Sequence, residues 1–192
     1  MAKGTNREYR AAALAASAEQ TDNEMIVEGY AAVFEQPTVL FEYDGIQYKE
    51  VIDRNAFNGC DMSAVPFKYN HSNDFLSLAK TTNGTLQLSV DDNGLKVRAS
   101  IAPTQAGSDL FALIKRGDIS QMSFGFTVSQ DSYDQKTHTR RVLQIDRLYD
   151  VSAVDLPAYD GTCISARDYF TAQQEAEAVQ EKRQRLILLS MC

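Results

Sequence analysis

The chain has 192 residues, 44% hydrophobic and 23% charged, enough for one globular domain with a sizeable core plus tails. Its formal net charge of −7 leaves no basic footprint for nucleic acid, and no run of about 18 apolar residues marks a membrane-spanning helix. Cys60, Cys163 and Cys192 are scattered, with no C-x-x-C pair, which argues against a disulfide framework or zinc knuckle and fits a reducing cytoplasm; with two histidines, no H-E-x-x-H and no glycine-rich nucleotide loop, neither metal nor cofactor is implied.

Residues 1–22 are polar and alanine-rich and read as a mobile arm; Leu14 alone cannot make a signal-peptide core, so secretion is not expected. A strand is predicted from Met25 to Phe34, then a loop from Glu35 to Tyr48 with Pro37 and Asp44-Gly45 as turn signals. EVIDRNAF, residues 50–57, is a short apolar segment able to start a helical turn. If Val65 to His71 is extended, Val65, Phe67, Tyr69 and His71 share one face. The alternation in TLQLSV and LKVRASI around Asn93-Gly94 predicts a hairpin. After Pro103, Leu110, Phe111 and Ile114 line one side of a predicted helix that closes on Lys115, Arg116 and Gly117. A strand from Ser120 to Ser129 should turn Met122, Phe124, Phe126 and Val128 to the core and Ser123, Gly125 and Thr127 the other way. RVLQI and LYDVSAV follow as strands, and the tail from Thr171 is helix-prone and charged, ending in an apolar patch. Six to eight strands with two helices make a β-rich α+β domain over residues 23–170, with a helical tail at 171–192.

Side-chain chemistry is then the route to any catalysis. Ser123 has Gly125 on its own face, which leaves room for another chain, although a serine in a strand is ordinarily just a small polar residue. His71 ends an apolar extended segment, where a histidine is ordinarily a surface or satisfied one. A serine hydroxyl needs a base titrating near neutrality, and imidazole, at about 6.5, suits it. The base needs an acceptor on its other nitrogen. Asp150 is a carboxylate inside an apolar strand, a costly place for unpaired charge. Asp155 and Asp53 are rival acids, and spacing does not separate the three. His138 sits in the polar stretch DQKTHTR and reads as a solvated turn.

The blocks GYAAVFE, EVIDRNAF, FKYNHS, DDNGLKVRASI, IKRGDI, QMSFGF and LYDVSAVDLPAY, in that order across residues 25–165, resemble the HK97-type prohead protease family. The resemblance implies a compact β-barrel with surrounding helices, related in fold to the herpesvirus maturation proteases. It implies a serine endopeptidase that cleaves scaffold and capsid precursor, and itself, inside the immature capsid in the bacterial host cytoplasm. Its partners would be the major capsid protein precursor or scaffold, with self-association, and neither nucleic acid nor membrane. Carried over by position, Ser123 would be the nucleophile, His71 the base and Asp150 the third member, where many relatives carry Glu. Two readings compete: a catalytically inactive capsid-assembly or scaffold-binding protein on the same fold, and an unrelated small hydrolase. The chain lacks the G-x-S-x-G elbow that would favour the latter.

Overall fold

The computed structural model describes residues 7–12, 17–21, 24–74, 76–155 and 159–190. Residues 1–6, 13–16 (with Leu14) and 22 of the expected arm, residues 156–158 of the late motif and Cys192 lie outside them. The elements run β1 (Glu8–Ala12), β2 (Ser17–Thr21), β3 (Glu24–Val33), β4 (Thr38–Tyr43), β5 (Ile46–Ile52), β6 (Pro66–Tyr69), β7 (Ala79–Lys80), β8 (Leu86–Val90), β9 (Gly94–Ile101), α1 (Gln105–Arg116), β10 (Gln121–Asp134), β11 (Thr139–Val154) and α2 (Tyr159–Ser190). The larger sheet is ordered β1-β10-β11-β5-β4, with β6 on β11 and β7 on β6; the smaller is β2-β3-β9-β8. The result is a sheet-dominated α+β fold whose two open ladders are joined by a bridge between Phe34 and Ile52.

Among the described residues eleven strands form where six to eight are predicted, and the additions come from two places. Within the stretch that reads as a mobile arm, residues 8–12 pair with β10 and residues 17–21 pair with β3. The expected loop at 35–48 is largely the β4–β5 hairpin. Its turn residues Asp44 (φ 51°) and Gly45 (φ 75°) are both left-handed, as a two-residue type I′ turn requires. EVIDRNAF completes β5 and then turns, with the Ala56 N–H donating to Asp53 O.

The predicted β8–β9 hairpin and α1 are present. Thr104 caps α1 by accepting the Gly107 N–H at 3.1 Å, and Gly117 (φ 92°) closes it. The buried side of α1, Leu110, Phe111 and Ile114, joins the main core with Phe57, Phe67, Val97, Phe124 and Phe126. Thr104→Ala is expected to destabilise the chain by about 1 kcal/mol in urea unfolding, because the first turn loses that acceptor.

Two long-range features hold the outer strands. Phe170 of α2 is buried against Leu40 and Tyr48, its ring 5.1 Å from that of Tyr48. None of the described helices is long and apolar enough to cross a membrane. On β1, Arg10 is buried and donates to Glu50 at 2.6 and 2.9 Å and to Glu8 at 2.6 Å. Arg140 closes the cluster, reaching Glu8 at 2.7 Å, Glu50 at 3.1 Å and Asp131 at 2.6 Å. Burying these charges is tolerable only because each has a partner.

Candidate active site

Segments from β10, β11 and the end of β6 build the candidate catalytic face around Ser123. β10 and β11 are antiparallel with Ser123 opposite Ser152 and Gly125 opposite Asp150, so all four residues address one face of the sheet. β6 lies parallel on the other side of β11, with Lys68 opposite Ser152 and Tyr69 opposite Ala153. The chain then turns sharply: Asn70 (φ 48°) and His71 (φ 55°) are both left-handed. Asparagine tolerates that region better than most residues. The Asn70 N–H still reaches Ala153 O at 3.0 Å, and its amide donates to Asp155 Oδ1 at 2.8 Å. Tyr69 OH donates to the other Asp155 oxygen at 2.8 Å.

That turn swings the imidazole over the sheet face. His71 Nε2 lies 2.6 Å from Ser123 Oγ, and Nδ1 lies 2.5 Å from Asp150 Oδ1. Ser123 and Asp150 are fully buried, whereas the His71 side chain keeps 11% exposure. Thus His71, Ser123 and Asp150, singled out in the sequence, are brought together in one hydrogen-bonded chain. The rival acids stand elsewhere. Asp155 braces Asn70 and Tyr69, and Asp53 pairs with Arg141 at 2.9 Å. His138 sits in the β10–β11 turn, its Nδ1 3.0 Å from Tyr133 OH.

Three neighbours escaped the sequence reading. Ser152 Oγ accepts the His71 N–H at 3.2 Å and donates to Asp150 Oδ1 at 3.2 Å. It lies two residues after Asp150 in a strand, so shared-face periodicity was its available signal. Tyr9 packs its ring 4.4 Å from the imidazole. Arg7 contacts the second oxygen of Asp150 and lies over the rings of Tyr9 and Tyr149 at 5.0 and 4.8 Å. Nothing in an alanine-rich, polar segment marked Arg7 and Tyr9.

Burial, the Arg7 guanidinium and the Lys68 ammonium push the His71 pKa down to about 4. A contacting carboxylate ordinarily raises an imidazole's pKa, but Arg7 occupies the far side of that same carboxylate and offsets its pull. The base is therefore neutral, with a lone pair available at Nε2, across the physiological range. Arg7→Ala removes a nearby cation and frees the carboxylate to act on the ring alone. The expected result is a higher His71 pKa, read from the ring-proton NMR titration.

As a set, these groups fit acyl transfer: a hydroxyl hydrogen-bonded to a neutral imidazole, and a buried carboxylate on the other nitrogen. The family model described as caudovirus prohead serine protease matches residues 12–180. Among curated proteins, the prohead protease of Enterobacteria phage HK97 is 30% identical over 145 residues, covering 73% of this chain and 59% of that protein. This chain therefore spans a little over half the length of that relative. Among solved structures, the bacteriophage T4 capsid assembly protease superposes with a TM-score of 0.51 at 13% identity, over 78% of this chain and 99% of that one, which shows a shared fold. Arranged around a buried serine on β10, and matched along most of its length, this chain belongs to the caudovirus prohead serine protease family.

Proposed function

We propose that the chain is a serine endopeptidase that cuts segments from scaffold or capsid precursor, and itself, during prohead maturation. The observation that carries this reading is the continuous hydrogen-bonded chain from Ser123 Oγ through His71 to Asp150. His71 Nε2 takes the hydroxyl proton as Oγ attacks the scissile carbonyl carbon, and then returns it to the leaving amine. Water hydrolyses the resulting acyl-enzyme by the same proton path in reverse. Asp150 holds the proton on Nδ1 throughout. Backbone N–H groups beside Ser123 would receive the oxyanion. The partners under this reading are the major capsid precursor or scaffold, met inside the immature capsid in the host cytoplasm, with self-association. Kinship with the compact barrel of the herpesvirus maturation proteases belongs to the same proposal, supported by two sheets packed on one core with α1 against it.

The alternative, an inactive capsid-assembly or scaffold-binding protein, draws on one observation: Ser123 has no solvent exposure. Intact-mass analysis of the cognate capsid precursor, co-expressed with the chain or with Ser123→Ala, separates the two. Loss of a defined segment with wild type alone supports the protease. Equal cutting by both places the chemistry elsewhere. A precursor left whole by wild type inside assembled proheads favours the inactive protein.

A further inference from the structure

The nucleophile is out of reach of any external carbonyl as the chain stands. Ser123 is fully buried, so a substrate gains access only if something moves. The covering element is identifiable. β1 pairs with the outer edge of β10, with Ala11 opposite Ser123 and Tyr9 opposite Gly125. In antiparallel strands, directly opposite residues send their side chains to the same face, so Ala11 and Tyr9 stand on the catalytic side. The Tyr9 ring lies against the imidazole, and Arg7 contacts Asp150. Gly125 leaves the hollow that they fill: a methyl group there would come within 2.9 Å of both Arg7 Nε and Tyr9 Cε1.

β1 also differs from the other covering groups in sequence terms. Its residues precede or just reach residue 12, where the family match begins, whereas β6, β10, β11 and the His71 turn lie inside it. A strand edge with this geometry is suited to an extended peptide, which would pair its main chain with β10 and lay alternate side chains across the catalytic face.

We propose that residues 7–12 occupy the place of the substrate, so that the outer edge of β10 is the docking strand for an extended peptide that must displace β1. This inference rests on the catalytic reading of Ser123, His71 and Asp150. It makes β1 an intramolecular competitor. Arg10, on the strand's opposite face, ties it down through Glu50, so the competitor is held from behind while Tyr9 and Ala11 block the front.

The test uses the full-length chain and a fluorophosphonate probe. In that reaction the Oγ–P bond forms as P–F breaks; His71 takes the hydroxyl proton and fluoride leaves. Wild type is compared with Tyr9→Ala/Ala11→Gly, which weakens the strand while keeping Ser123, His71 and Asp150 themselves, each checked for native circular dichroism. Tyr9→Ala alone serves if the double variant does not fold. The variant is expected to label at Ser123 at least about tenfold faster, the equivalent of about 1.4 kcal/mol of lost docking. A synthetic peptide of residues 5–14 added in trans should slow it again. Labelling of Ser123 at equal rates in wild type and folded variant, indifferent to the peptide, overturns the competitor and leaves the triad standing. No labelling of Ser123 in any folded form overturns the catalytic reading, and this inference with it.

Discussion

His71→Ala is expected to lower the rate of precursor cleavage about 10⁴-fold or more, with little change in thermal stability. The imidazole touches both Ser123 Oγ and Asp150. Without it the hydroxyl proton has no acceptor. Asp150→Asn should cost on the order of 10⁴-fold for a different reason. An asparagine amide donates to Nδ1, which forces the ring proton onto Nε2 and turns the base's lone pair away from Ser123. Asp155→Asn is the informative control, because that carboxylate holds Asn70 and Tyr69 while Asp150 is the one paired with His71 Nδ1. Its effect on kcat should be far smaller. A loss at Asp155 equal to that at Asp150 would sink the assignment of the third member.

The largest effect on stability is expected at Glu50. Its carboxylate, 3% exposed, receives Arg10 and Arg140 together, so Glu50→Ala leaves two buried guanidinium groups short of a counter-charge. Breaking a buried pair from one side costs about 3–5 kcal/mol, which for a chain of this size lowers Tm by roughly 10 °C. Burial pulls the Arg140 pKa down, but Glu50, Glu8 and Asp131 overcome it and hold it above its ordinary value. Differential scanning calorimetry would read the loss, and a Tm within a degree of wild type would show that the cluster is energetically idle.

Acid sensitivity follows with a definite sign. His71 has its folded pKa depressed from 6.5 to about 4, so the unfolded chain binds the extra proton between those values and stability declines as pH falls from 6.5 toward 4. Burial raises the Glu8 pKa, but Arg10 and Arg140 outweigh it and bring it below 4.5. Its contribution is present above 4.5 and is lost as pH falls through the folded value. Both shifts act in the same direction, so urea midpoints should fall steadily on acidification.

The parts of the molecule that could be read in advance are those governed by local rules. Apolar alternation over residues 86–90 and 95–101 set one hairpin, although its turn is closed by the Asp91 carboxylate accepting the Asn93 and Gly94 N–H groups and neither of those residues is left-handed. The Leu110–Phe111–Ile114 stripe set α1, and alternation put Phe124 and Phe126 inward from β10. The three candidate site residues were legible through types and family blocks, not through spacing, because their contacts join strands far apart in the chain. What escaped depends on tertiary pairing. β1 exists because β10 offers it an edge and Glu50 a charge partner, neither of which is visible in EYRAA itself. β4 was lost to a turn signal read as a loop, although Asp-Gly between Phe41, Tyr43 and Tyr48 carried the hairpin pattern. Ser152 carried only the period-2 signal of a strand face shared with Asp150, which any small polar residue there would carry.

The parallel docking of β6 on β11 also governs when His71 can first meet Ser123. These strands meet through Phe67 with Val151 and Lys68 with Ser152, a pairing that carries His71 to Ser123. Contacts of such long sequence separation form late and slowly, because a long intervening segment must first be closed. During synthesis His71 and Ser123 are both made before β11, the strand that aligns them. A nascent chain therefore holds His71 and Ser123 unaligned, and without Asp150, until β11 emerges.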